Sequence, residues 1–164
     1  MPSRYDPDKH HRRSIRLRGF DYSTPGAYFI TIGTRHHARL FGQIANGAMH
    51  LNAAGAMVEQ QWQGLSLRFP SITLDILVVM PDHTHAIVWL HGDPPITLGT
   101  VIGAFKSLTT NAYIAGVREK GWPTFDRRLW ERDYYEHIVR NEESLARIRT
   151  YIEQNPARWN DRSQ

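Results

Sequence analysis

The sequence predicts an α+β domain of the ferredoxin-like or RRM-like kind, a mostly antiparallel sheet with helices packed on one face. Three observations carry that expectation. Segments with strand and helix character follow one another as strand, hairpin, helix, strand, strand, helix, strand, helix. A hydrophobic share of 41%, with 11% aromatics, supports a real core in a chain of 164 residues. The absence of cysteine means that no disulfide framework substitutes for that core, and it also excludes a thiolate nucleophile and any cysteine-ligated zinc or iron–sulfur site.

Residues 1–25 read as a basic arm that runs into the turn Ser23-Thr24-Pro25-Gly26, and residues 26–164 as one domain. The chain has 20 Lys+Arg against 16 Asp+Glu, a net +4, and the first twenty residues alone hold six basic and two acidic groups. The whole excess therefore sits in the arm. Of the 20 basic residues 17 are Arg, the side chain better shaped for bidentate phosphate contacts. No apolar stretch reaches the ~18 residues that span a bilayer, and the first twenty residues lack the apolar core of a secretory signal, so the expected location is the cytoplasm, with no membrane partner.

Ala27 to Ile32 is β-branched and aromatic, the first strand. Leu40 to Ile44 and Ala48 to Leu51 flank Asn46-Gly47, the dipeptide that suits a tight hairpin. Asn52 can cap a helix to about Leu67, with Val58, Trp62 and Leu65 at helical spacing and Pro70 as its stop. Ile72 to Met80 and His83 to Leu90 read as central strands around the Pro81-Asp82 turn. A helix from Thr97 to about Val117 carries Leu98, Ile102, Phe105, Thr109 and Ala112 on one stripe, with Lys106 beside it. Trp130 to Arg140 is a loop passing into a short strand. Asn141 then caps a last helix whose first turn holds Glu142 and Glu143, as the helix dipole favours.

The chemistry concentrates at Met80-Pro81-Asp82-His83-Thr84-His85-Ala86-Ile87. Strand alternation puts His83 and His85 on one face, about 7 Å apart along the strand. Such a pair arises by chance in roughly every second chain with this histidine content, so spacing alone is a weak signal. Context strengthens it, because two imidazoles on a helix-covered face need something to satisfy them. The last helix offers partners: Leu145, Ile148 and Ile152 form its apolar stripe, and Tyr151 and Asn155 lie four apart on an adjoining side. Taken by itself, that helix reads equally as one with a core Tyr and an Asn that ends it before Pro156.

Four segments in this order resemble the single-tyrosine HUH transposases, in particular the REP-associated tyrosine transposases of bacteria. They are Pro81-Asp82-His83-Thr84-His85, Leu98 to Ser107, Trp130 to Arg140, and Tyr151-Ile152-Glu153-Gln154-Asn155-Pro156. The resemblance implies a metal-dependent endonuclease and strand transferase that binds hairpins in single-stranded DNA and cleaves through a 5′-phosphotyrosine. It implies Tyr151 as the nucleophile and His83, His85 and Asn155 as ligands of Mg²⁺ or Mn²⁺. It also implies a REP-like hairpin as partner, a monomer or homodimer, and a place at the nucleoid. Thr84 stands where many members carry a bulky apolar residue, and Asn155 where minimal insertion-sequence relatives usually carry Gln. For the DNA, the arm residues Arg12, Arg13, Arg16 and Arg18 are the natural phosphate contacts, supported by Arg35, Arg39, Lys106, Arg127, Arg128 and Arg132. Trp122 and Trp130 are candidates for base stacking. Two other functions stay open from the residues: an insertion-sequence transposase that mobilises its own element, and a non-catalytic nucleic-acid-binding module on the same sheet architecture.

Overall fold

The computed structural model describes residues 20–159. Its elements are β1 (Gly26–Gly33), β2 (Gly42–Ala45), β3 (Ala48–Leu51), α1 (Ala53–Arg68), β4 (Ile72–Val79), β5 (His83–Leu90), α2 (Leu98–Lys120), β6 (Tyr135–Val139) and α3 (Glu142–Glu153). Short 3-10 turns lie at Arg35–His37 and Pro156–Arg158. The main sheet has the order β4-β5-β1-β6 with every neighbouring pair antiparallel, the arrangement left when two βαβ crossovers each skip one strand. The α+β class and the antiparallel sheet are those expected from the sequence.

Local chemistry explains the elements. Asn46 and Gly47 both take positive φ (53° and 72°), the conformation that a two-residue hairpin turn requires between β2 and β3. Asn52 accepts from the Gly55 N–H at 2.9 Å, Thr97 from that of Thr100 at 3.1 Å, and Asn141 from that of Ser144 at 2.8 Å, so each helix starts on a side-chain cap. Helix α2 runs three residues past the expected end near Val117, because Arg118, Glu119 and Lys120 are good helix formers and carry it to Gly121.

The helices do not share one face, contrary to the expected layering. Tyr28, Ile30, Ile32, Ala86, Val88 and Leu90 point to the face covered by α1 and α2, where Val58, Trp62, Leu65, Val101, Ile102 and Phe105 complete the main core. The alternate residues Ala27, Phe29 and Ile87 point the other way and pack against Leu145 and Ile152 of α3. The physical reason is that β1 and β5 are unbroken apolar runs over much of their length, a pattern that demands cover on both sides. His83 and His85, on the same face as Ile87, therefore lie beneath α3. Among the described residues, no helix is long and apolar enough to cross a membrane.

Candidate metal and tyrosine site

The two histidines are fixed from behind. Asp82, 6% exposed, sets Oδ1 2.6 Å from His83 Nδ1, and Thr31, opposite His85 in the β1–β5 register, sets Oγ1 2.8 Å from His85 Nδ1. A carboxylate only accepts, so His83 carries its proton on Nδ1 and leaves a lone pair on Nε2. The Thr31 hydroxyl can donate or accept, so it pairs with His85 Nδ1 in either tautomer. The two Nε2 atoms then converge to 3.0 Å. Without an ion, His85 Nε2–H donates to His83 Nε2; with both Nε2 as lone pairs the spacing suits a small divalent ion, since nitrogens held at right angles about 2.1 Å from it are about 3.0 Å apart. The pair fits such an ion.

Among the described residues no third His, Cys, Asp or Glu joins the two histidines in ion-binding geometry, and a carboxamide oxygen is a donor of another kind. Asn155 suits the chemistry. It is 3% exposed and follows the last turn of α3, with its N–H on the Ile152 carbonyl at 3.2 Å. The chain then turns through Pro156–Arg158 and brings Trp159 to stack on His83, centroids 6.1 Å apart at 26°. Asn155 thus sits between a tyrosine that meets one histidine and a tryptophan that covers the other.

That tyrosine is Tyr151. Its ring meets His85 at 5.5 Å and Phe29 at 6.2 Å, both edge to face. Helix α3 is held there by Leu145 and Ile152 and by an anchor on β4. The Arg149 guanidinium donates to both oxygens of Asp75, Nε at 3.0 Å and Nη2 at 2.5 Å, and Trp89 Nε1 donates to Asp75 at 2.9 Å. The guanidinium, first among these donors, holds the Asp75 carboxyl down at about 2. Three other tyrosines are committed elsewhere. Tyr134 lies in the main core under the Lys106 ammonium, Tyr135 packs edge-on against Phe29 with its phenol pKa raised by burial, and the buried Tyr113 donates to the Pro123 carbonyl at 2.7 Å.

The proposed DNA contacts divide. Arg12, Arg13, Arg16 and Arg18 lie outside the described residues. Arg35 is mostly buried, donates from Nε to His36 at 3.1 Å and reaches Asp126 at 3.9 Å. Lys106 donates to the carbonyls of Glu131 and Arg132 at 2.7 and 2.9 Å, while Arg132 itself is exposed. Trp122 and Trp130 are not stacking platforms. Trp130 is 3% exposed with Nε1 on Thr109, and Trp122 lies so close over Gly116 that a Cβ there would meet its ring at 2.1 Å. Both close the core under the segment after α2, where a large aromatic ring beside apolar neighbours gains more from burial than from exposure.

Sequence reasoning missed three residues of the site, Asp82, Thr31 and Trp159, and named Arg39 as a DNA contact without its place against Trp159. Asp82 was visible beside His83 as a carboxylate next to an imidazole. Thr31 depends on the strand register, Trp159 on the turn after α3, and Arg39, 5.4 Å over the Trp159 ring, on both.

Known proteins resemble this chain in sequence and in fold. The IS200-like transposase family model matches residues 67–155, which takes in both histidines, Tyr151 and Asn155. An uncharacterized protein of Haemophilus influenzae is 35% identical over 179 aligned positions, covering 97% of this chain and 96% of that protein. Among solved structures, a REP-associated tyrosine transposase bound to a REP hairpin aligns with a TM-score of 0.61 at 20% identity, over 87% of this chain and 72% of that one. A protein of Deinococcus radiodurans R1, assigned to the transposases, aligns at 0.53 and 18% identity, over 85% of this chain and 95% of that one.

Proposed function

The chain belongs to the IS200-like transposase family, and from that premise we propose that it cuts and rejoins single-stranded DNA beside a REP-like hairpin, with Tyr151 as nucleophile and a divalent ion held by His83, His85 and Asn155. The observation that carries the reading is the meeting of the two Nε2 atoms at 3.0 Å with the Tyr151 ring against His85. Hairpin preference rests on the motif resemblance, and the fold shared with a hairpin-bound relative is compatible with it.

His83, His85 and Asn155 would hold Mg²⁺ or Mn²⁺, which would neutralise charge on the scissile phosphate. The chain does the rest. Asp82 keeps His83 in the tautomer that presents Nε2, and Thr31 accepts from His85 Nδ1 when His85 presents its own Nε2. Helix α3, pinned through Arg149 to Asp75, holds the Tyr151 ring against His85. The phenol gives up its proton, its oxygen forms a bond to phosphorus, and the bond from phosphorus to the 3′-oxygen breaks, that oxygen leaving as a hydroxyl after taking a proton. The phosphotyrosine keeps the phosphodiester character, so a 3′-hydroxyl reverses the step and joins strands without a nucleotide cofactor. A phenol with a reference pKa near 10 is a weak nucleophile at neutral pH, which is why placement beside a polarised phosphate is needed.

The test is incubation of the full chain with labelled single strands carrying hairpins, in Mg²⁺ or Mn²⁺. A covalent adduct that survives denaturation is expected, absent with chelator and absent in Tyr151→Phe, which keeps hairpin binding. An adduct of normal yield in Tyr151→Phe overturns the assignment of the nucleophile, and failure to cut any hairpin overturns the activity.

A further inference from the structure

A cavity of about 360 Å³ opens on the α2 side of the sheet, away from α3. Its floor and one wall are α2, where Lys106 and Thr110 stand one turn apart with Asn111 next to them. The opposite wall is the segment that carries Arg128, Trp130 and Arg132. That wall is tightly held: Trp130 Nε1 donates to Thr109 at 2.8 Å, the Glu131 N–H donates to the Gly33 carbonyl at 2.9 Å, and the Lys106 ammonium clamps two carbonyls from inside. The cavity is therefore a preformed concavity, of the size that suits a small organic ligand.

Its chemistry is divided. One side carries guanidinium groups, and neither Arg128 nor Arg132 is in an ion pair among the described residues. The other side carries a hydroxyl and a primary amide, groups that read a hydrogen-bonding edge. Lys106 stands between them. An ammonium has three N–H donors, and two are used on carbonyls, leaving one for an incoming acceptor. Burial holds its pKa down at about 8, although the Asp133 and Glu131 carboxylates nearby work the other way. Cations beside amide and hydroxyl groups match a phosphate joined to a base.

The location matches as well. Glu131 is bonded to Gly33, and Gly33 lies opposite His83 in the β1–β5 register. Two strand spacings, about 10 Å, separate the Glu131 backbone from that of His83, whose imidazole lies on the other face of the sheet, so a single strand joins the two places by passing the end of the sheet that Gly33 and His83 share. We propose that this cavity holds one nucleotide of the single strand flanking the cut phosphate, its phosphate on Arg128 and Arg132 and its base edge on Thr110 and Asn111. The inference rests on the single-strand cleavage reading and adds to it a fixed position where one flanking base is read.

The test uses the full chain in the Tyr151→Phe background, with two probes: a blunt hairpin and the same hairpin with single-stranded tails. Arg128→Gln with Arg132→Gln is expected to weaken the tailed probe about tenfold and leave the blunt one unchanged. The slope of log affinity against log salt for the tailed probe should fall by about 1.4, the value for two phosphate contacts to a single strand. Replacing tail nucleotides one at a time by abasic residues should reveal one position that costs severalfold in the Tyr151→Phe protein and nothing once Asn111→Ala is added. Thermal melting checks that each variant is folded, and Arg132→Ala alone serves if the double variant is not. Equal weakening of both probes, no weakening, or no such abasic position overturns the proposal. Adduct formation by the unaltered chain is measured alongside, so that an adduct without a probe difference defeats the cavity alone, and absence of any adduct defeats the cleavage reading.

Discussion

The two faces of the main sheet are built from alternate residues of the same strands, yet they do different work. On β5, Ala86, Val88 and Leu90 enter a core of 22 buried residues roofed by two helices. His83, His85 and Ile87 enter a face where, among the described residues, five form the buried apolar cluster, under one helix. The thick face stabilises the domain. The thin face has room for imidazoles, a phenol and an amide because little apolar surface competes for the space, and its single roof, α3, is held by a short apolar stripe and one ion pair. Stability and chemistry are thus separated by the two-residue period of a strand.

The sharpest way to break this division is to truncate each face in turn. Phe105→Ala on the thick face should cost about 3–5 kcal/mol, since a fully buried ring on α2 leaves a cavity that the surrounding core cannot close. Urea unfolding should show one cooperative transition shifted to lower denaturant. Ile152→Ala on the thin face should cost about 2 kcal/mol, at the low end for such truncations. Its loss should show as faster amide exchange confined to α3, with adduct formation falling more than the melting temperature does, because the helix that carries Tyr151 can lift away while the main core holds. If Ile152→Ala instead unfolds the whole domain in one step, the two faces are one cooperative unit and the division fails.

A substitution inside the thin face tests its chemistry apart from its packing. Asp82→Asn keeps an acceptor near His83 Nδ1 but removes the negative charge that fixes its tautomer. Loss of such a partner behind a metal-bound histidine costs about tenfold or more in ion affinity. Titration of the adduct yield with Mn²⁺ should show a higher midpoint with the same maximum; an unchanged midpoint would mean that Asp82 serves the strand turn alone.

How legible each face was follows from the range of the forces involved. The hairpin at Asn46-Gly47, the caps at Asn52, Thr97 and Asn141, and the alternation of His83 with His85 are set by neighbours within four residues, and all can be read along the chain. The side of the sheet that α3 takes was encoded only in the double-sided apolar runs of β1 and β5, which are easily read as ordinary strands. Thr31 behind His85, and Trp159 over His83, depend on register and on the exit path of the chain, which no local pattern records. The tryptophans were misjudged for the same reason: Trp130 is core because Thr109 and Phe105 meet it across a long loop.

The smallest expected effect concerns the ion pair that pins α3. Hydrogen bonding from Arg149 lowers the Asp75 pKa from its ordinary 3.8 to about 2, so the folded state favours the ionised carboxylate more than the unfolded chain does. A depressed carboxyl contributes stability that is fully present above about pH 4 and is lost as pH falls through 2. The Arg149 side chain is 43% exposed, so solvent screening limits the contribution to about 1 kcal/mol, and added salt should reduce it further. Other carboxylates also titrate in this range, so the informative quantity is the difference between the unaltered chain and Arg149→Gln. Melting temperatures taken between pH 5 and pH 2 should differ at the upper end and converge toward the lower. Amide exchange in α3 should follow the same window while exchange in α2 does not, since Asp75 touches only the thin face. A difference that persists undiminished at pH 2 would show that Arg149 holds α3 by packing of its stem rather than by charge.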